Sequence, residues 1–310
     1  MSKVLITGGA GFIGSNLAHN LVNNNEVVIV DDLSMGKKEN ISDIDVRFYK
    51  HNVCDYDFMH QLLSDEKFDY IYYLAAVSSV ADSVVRPFET HRVNQESVLN
   101  TLEYIRQNDL PIKKFLFTSS AAVYGNYQDF PKKEDGRVQP LTPYAVDKYA
   151  SERFTIDYNR LYGIPTVAVR FFNVFGPRQN PDSPYSGVLS IITDCLKNGK
   201  PFILYGDGKQ TRDFIYVDDV VNALIKVSRL NNSNSTVYNI ANGKETSLIE
   251  IIRAYEKISG KKLEIIRKEK RNGDITRSVA DISKLKKIGF NPRWTLQDGL
   301  KKYWNYYLGF

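Results

Sequence analysis

Along the first 170 residues, short unbroken apolar runs alternate with segments of helical period. Residues 3–7 (KVLIT), 26–31 (EVVIVD), 70–75 (YIYYLA), 114–119 (KFLFTS) and 166–172 (TVAVRFF) read as strands, with a weaker one at 46–50. Continuous rather than alternating apolar character is what strands covered on both faces require. Between them, residues 12–23 carry Phe12, Ile13, Leu17 and Leu21 at helical spacing, and 56–63, 90–108 and 144–162 repeat that pattern. Strand and helix in this rhythm predict an α/β fold with a doubly wound parallel sheet. After Asn173 the rhythm breaks into turn formers, Gly176-Pro177-Arg178 and Asn180-Pro181-Asp182-Ser183-Pro184. Helices are expected at 188–198, 217–230, 248–259 and 284–288, a short apolar segment at 202–205, and a strand at 237–240 that returns to the sheet. The expected division is a sheet domain over 1–172, with a return segment near 210–242, and a smaller α/β domain over 173–310.

Composition narrows the classes. At 43% hydrophobic residues the chain affords a large core, which excludes global disorder. A net charge of +5, from 41 basic and 36 acidic residues, is too mild and scattered to argue for nucleic acid. Cys54 and Cys195 form no CxxC, and His19, His51, His60 and His91 form no HxH or HExxH, so no metal site is expected. The apolar start is too short for a leader and ends in glycines, and no stretch approaches the length of a membrane span. The expectation is a cytoplasmic protein in a reducing compartment, without membrane or nucleic-acid partners.

Candidate chemistry begins at Gly9-x-Gly11-x-x-Gly14, which also reads as Gly8-x-x-Gly11-x-x-Gly14. The loop directly follows a strand and opens a helix, so its backbone N–H groups can approach a pyrophosphate at a helix N-terminus. Asp31 ends the second strand about twenty residues on, where a carboxylate binds adenosine ribose hydroxyls. No Arg or Lys immediately follows Asp31, which favours NAD over NADP. Ser119 and Ser120 end the fifth strand, at the carboxyl edge where ligands bind in open α/β sheets. Tyr144-x-x-x-Lys148 places a phenol and an ammonium one helical turn apart. Alone, such a pair is usually an ordinary surface pair. Beside the glycine loop and the serines it suits proton transfer: a free phenol with pKa about 10 is a poor base at neutral pH, and a nearby cation favours its phenolate.

These residues, together with LAA at 74–76, SSAAVYG at 119–125, PYAVDK at 143–148, RFFNVFGPRQNP at 170–181, DGKQTRDFIYVDD at 207–219 and RNGD at 271–274, resemble the extended short-chain dehydrogenase/reductases. Within that group they are similar to the nucleotide-sugar 4-epimerases, and the similarity runs end to end. It implies a Rossmann NAD-binding domain and a catalytic set of Ser120, Tyr144 and Lys148. It implies tightly bound NAD+ held by Gly8, Gly11, Phe12, Ile13, Gly14, Asp31, Asp32, Asn52, Val53, Leu74, Ala75, Ala76, Asn94, Tyr144, Lys148 and Phe172. Asn52 stands where the family often has Asp. The implied nucleotide-sugar residues are Ser78, Ser79, Ser119, Ser120, Asn173, Val188, Leu189, Tyr205, Arg212, Arg271, Asp274 and Ser278. The arginines would take the diphosphate, for which bidentate cations are best suited. Without the resemblance, Arg212-Asp213 and Arg271/Asp274 read as surface ion pairs.

The activity so implied is reversible C4 epimerisation of a UDP-hexose through a 4-keto intermediate. Ala121 and Ala122 follow Ser120, where related dehydratases and decarboxylases carry an acid, which argues against dehydration. Ser278 falls where glucose/galactose-restricted epimerases carry a bulky tyrosine. That position, the Ser78-Ser79 pair and the segment at 183–187 point to UDP-N-acetylglucosamine/UDP-N-acetylgalactosamine, with UDP-glucose/UDP-galactose also accommodated. The alternatives are a UDP-glucuronate 4-epimerase, a strict UDP-glucose 4-epimerase and, more distantly, a non-catalytic dinucleotide sensor. Family members commonly dimerise through the two helices expected at 90–108 and 144–162, so a homodimer is the expected assembly.

Overall fold

The computed structural model describes residues 1–179, 187–270 and 275–309. These fall into two compact units. The first comprises Met1–Tyr127, Arg137–Phe171 and Val221–Tyr238, and the second Gln128–Gly136, Phe172–Val220 and Asn239–Phe310.

In chain order the first unit contains β1 (Ser2–Thr7), α1 (Phe12–Leu21), β2 (Asn25–Val30), β3 (Arg47–Tyr49), α2 (Tyr56–Glu66), β4 (Tyr70–Tyr73), α3 (Val80–Val85), α4 (Pro87–His91), α5 (Ser97–Gln107), β5 (Lys114–Ser120), α6 (Pro143–Tyr162) and β6 (Thr166–Phe171). The second unit adds β7 (Asn173–Phe175), α7 (Val188–Asn198), β8 (Phe202–Tyr205), β9 (Thr211–Arg212) and β10 (Phe214–Tyr216). The chain then crosses back through α8 (Val217–Arg229) and β11 (Thr236–Ile240), and ends with β12 (Thr246–Ser247), α9 (Leu248–Ser259), β13 (Ile265–Lys268), α10 (Ser283–Lys287) and α11 (Leu296–Leu308).

The main sheet has the order β11-β6-β5-β4-β1-β2-β3, and β1 to β6 pair in parallel throughout. The winding reverses between β1 and β4, the switch point where open α/β sheets bind ligands. Burial explains the unbroken apolar runs: Val4, Leu5, Ile6, Val27, Val28, Ile29 and Val30 are all at most 2% exposed, because helices cover both faces. Val98, Leu102 and Ile105, spaced as one helical face, pack from α5 into the core with Phe115, Phe117 and Ile156.

The helix expected over 90–108 is interrupted. Residues Arg92–Glu96 form a π-helical turn between α4 and α5. The carbonyl of Asn94 there accepts the Ser151 hydroxyl of α6 at 2.9 Å. The last helix, α11, lacked a sequence expectation, although Leu296, Leu300, Tyr303 and Trp304 mark a helical face. Thr295 caps it, accepting from the Asp298 amide, and Gly299 lets it pack where a Cβ would lie 2.8 Å from the Phe175 ring. Among the described residues no helix is long and apolar enough to cross a membrane.

Candidate functional site

In the first unit, β1 runs into the glycine loop and α1 starts at once. Gly8 adopts φ +70, a conformation that favours glycine, and its amide donates to the Val30 carbonyl at 2.8 Å. A Cβ on Gly14 would lie 2.2 Å from the Gly8 carbonyl oxygen, so helix and loop are as close as backbones allow. Gly11 caps α1 with no side-chain hydrogen bond, which leaves first-turn amides for an anion. Phe12 and Ile13 open that turn. This cradle, filled by any side chain, fits a dinucleotide pyrophosphate.

The acids after β2 brace the loop. Buried Asp31 accepts the Ala10 amide (2.9 Å) and the Leu33 amide (2.8 Å). Burial pushes its carboxyl up, and these amides pull it back. Asp32 is half-buried and accepts the Asn52 amide group at 2.7 Å, while the Asn52 oxygen accepts the Cys54 amide. Val53 is buried between them in sequence. The Leu74 and Ala75 amides both donate to the Thr7 hydroxyl at 3.2 Å, and Ala76 follows them half-buried. Fully buried Asn94 clamps the same loop through both the amide and the carbonyl of Val77. Of the paired serines, Ser78 is exposed, and buried Ser79 caps α3 by accepting the Asp82 amide.

At the carboxyl end of β5, Ser120 comes beside Tyr144 of α6: burial pushes the Tyr144 phenol up, and the Ser120 hydroxyl pulls it down. Ser120 also accepts the Ala122 amide at 3.2 Å, which starts the short 3-10 turn Ala121–Tyr124. Neighbouring Ser119 is 2% exposed, and its buried hydroxyl has no partner among the described residues.

The α6 helix is started by Thr142, which accepts the Ala145 amide, and by Pro143 in its first turn. One turn in, buried Lys148 donates to the Thr118 carbonyl at 2.9 Å, with its ammonium 4.9 Å from the Phe117 ring centre. Burial drives this lysine down to about 7. Deeper in α6, Glu152 holds Arg170 of β6 through bonds of 2.8 and 2.6 Å.

In the second unit a cavity of about 530 Å³ opens beside β9, a volume usual for small-ligand sites (~300–1,000 Å³). Its lining follows local periodicities. Val188, Ile191 and Cys195 are one face of α7; Gln210, Arg212 and Phe214 alternate along an extended segment; Thr246 and Leu248 do the same opposite. Thr246 pairs directly across from Arg212. Asn173, Tyr205 and Phe202 complete the wall. Thus Asn173, Val188, Tyr205 and Arg212 come together. Leu189, one position off that helical face, is buried, and Phe172 is buried before β7. Ser278 is half-buried on the segment that follows 274 and is not part of this lining. Arg271, Asp274 and the 183–186 segment lie outside the described residues.

Gln210, Phe214 and Thr246 were missed at the sequence level. The first two were within reach, because they alternate with Arg212. Thr246 needed the β9–β12 pairing. Asp213, on the opposite face from Arg212, is fully buried rather than part of a surface ion pair.

Residues 4–241 match the family model described as the NAD dependent epimerase/dehydratase family. A putative UDP-glucose 4-epimerase of Methanocaldococcus jannaschii is 39% identical over 306 residues, 98% of this chain and 97% of that protein. The structure of the UDP-N-acetylglucosamine 4-epimerase from Methanobrevibacter ruminantium, in complex with UDP-N-acetylmuramic acid, superposes with TM-score 0.93 at 35% identity, covering 99% and 98% of the two chains. That of the Thermotoga maritima UDP-glucose 4-epimerase with UDP-glucose gives TM-score 0.94 at 34% identity, covering 99% of each chain.

Proposed function

The chain belongs to the NAD dependent epimerase/dehydratase family, and from that premise we propose that it inverts C4 of a UDP-hexose, with UDP-N-acetylglucosamine/UDP-N-acetylgalactosamine as the preferred pair. The observation that carries this reading is the 2.9 Å bond from buried Lys148 to the Thr118 carbonyl, which holds the Tyr144/Lys148 turn of α6 against the end of β5 that carries Ser120. When bound, NAD supplies a two-electron acceptor at C4 that is regenerated in the same cycle. The glycine cradle, Asp31, Asp32 and Asn52 would hold it.

The remaining chemistry belongs to the side chains. Tyr144 takes the 4-hydroxyl proton as C4 becomes a ketone and returns it when C4 is reduced from the other face. Ser120 holds the reacting oxygen and passes the proton to Tyr144. The Lys148 ammonium favours the phenolate that Tyr144 must form. Ala121 and Ala122, in the turn after Ser120, bring no carboxyl group that could drive elimination. In the Arg212 cavity the guanidinium suits a diphosphate; the small side chain of Ser278, outside that lining, supports a sugar with a 2-acetamido group.

Purified protein incubated with UDP-N-acetylglucosamine and followed by proton NMR is expected to show the galacto anomeric signal. Its absence with NAD present overturns the reading. Conversion of UDP-glucuronate or UDP-glucose alone moves the assignment to that sugar. A homodimer forms part of the same proposal. The α6 helix leaves Val146, Phe154 and Leu161 exposed, and sedimentation at the mass of one chain would remove the dimer. On the other helix, Val98, Leu102 and Ile105 lie in the core of the first unit.

A further inference from the structure

Asp213 sits between β9 and β10, and its carboxylate is surrounded by backbone donors from distant segments. Oδ1 accepts the Asn242 amide at 2.9 Å; Oδ2 accepts Gly243 at 3.0 Å and Ala280 at 3.1 Å. Successive amides at Asn242 and Gly243 form an anion-binding nest, and Gly243 holds the φ of +74 that such a turn needs. The Asp213 carbonyl meanwhile accepts the Asn173 amide at 3.1 Å.

The Asn173 contact and the nest adjoin residues of the cavity, while the Ala280 contact ties in the segment of Ser278, outside that lining. Arg212 precedes Asp213 and, by strand alternation, points to the other face. Thr246 and Leu248 follow the nest, and Ser278 lies two residues before Ala280. Two backbone bonds extend the same alignment, from Thr211 N–H to the Thr276 carbonyl (2.9 Å) and from Lys132 N–H to the Val279 carbonyl (2.8 Å).

We propose that Asp213 is the positioning residue of the Arg212 cavity: its single buried carboxylate sets the mutual register of the segments carrying Arg212, the Thr246–Leu248 wall and Ser278. The proposal rests on the reading of that cavity as the nucleotide-sugar site. An asparagine there keeps the shape but turns one acceptor into a donor that faces amide donors. Loss of such buried contacts is expected to weaken binding about tenfold.

The carboxylate also makes the register sensitive to acid. Burial pushes Asp213 up to about 6, with the surrounding amides pulling down. The charged groups on the packed segments are Arg212, Lys244, Glu245, Arg277, Asp281, Lys132 and Glu134. Glu245 is held below its usual range by Arg277, and Asp281 by Ser283. Burial pushes Glu134 up, which makes Glu134→Gln the necessary control.

The test is calorimetric titration of the full chain, NAD loaded, with UDP-glucose. Its phosphates are diesters, so it lacks the terminal ionisation near pKa about 6 of a monoester. At pH 7.5 Asp213→Asn is expected to weaken binding about tenfold and raise KM, with NAD content and kcat changed much less. Wild-type affinity is expected to fall as pH drops through about 6; the Glu134→Gln protein should follow it and Asp213→Asn stay flat. Should the variant not fold, the wild-type and Glu134→Gln pH series decide alone. Normal affinity in Asp213→Asn, or loss of the acid response in Glu134→Gln, overturns the proposal. An Arg212→Ala protein that binds as wild type instead overturns the reading of the cavity itself.

Discussion

Replacing Arg170 by methionine removes one half of an ion pair that the fold has closed off from water. The Arg170 and Glu152 side chains are 4% and 1% exposed. The guanidinium also lies 4.7 Å from the Tyr124 ring centre. The methionine fills most of the volume but leaves the Glu152 carboxylate buried without its cation. Breaking a buried pair in this way costs roughly 3–5 kcal/mol, and the lost ring contact adds about 0.5–1 kcal/mol. Against a total stability of about 5–15 kcal/mol, the variant should unfold at markedly lower urea. The double variant Arg170→Met/Glu152→Leu removes both charges, and a well-packed apolar pair is often neutral or better. It should therefore recover most of the loss, with a coupling in the double-mutant cycle at least as large as the loss recovered. Equilibrium urea unfolding of the four proteins, followed by circular dichroism and tryptophan fluorescence, measures both terms. A single variant within about 1 kcal/mol of wild type, or a double variant no better than the single, would refute the argument.

Lys148→Met should be inactive yet more stable. A lysine driven down to about 7 is costly to keep charged in the fold. The cost, on the order of 4 kcal/mol, is fully present below pH 7 and fades as pH rises towards the ordinary lysine value. Calorimetry at pH 6.5 and 9.5 should show the larger gain at the lower pH, and a lower Tm at both would contradict this. Gly14→Ala places a methyl group 2.2 Å from the Gly8 oxygen, so α1 must retreat from the loop. Purified Gly14→Ala should retain little NAD by chromatography of the denatured supernatant, and wild-type retention would disprove the close approach.

The sequence by itself determined what depends on local spacing. Unbroken apolar runs reported strands buried on both faces, and Gly8, Gly11 and Gly14 reported a turn and a close backbone approach. The one-turn separation of Tyr144 and Lys148 follows from helical geometry alone. Val188, Ile191 and Cys195, and likewise Gln210, Arg212 and Phe214, follow the same local periods, although only the cavity shows which side of each is used. The tertiary structure decided what depends on burial and on contacts between residues far apart in the chain. It brings Ser120 to Tyr144, and it buries Lys148 deeply enough to move its ionisation. It places a π turn at Asn94, whose carbonyl accepts a hydroxyl from α6. It also converts Asp213 from an apparent surface partner of Arg212 into a carboxylate enclosed by amides. No spacing rule reports these features, because a buried charge is stable only where distant segments supply its donors.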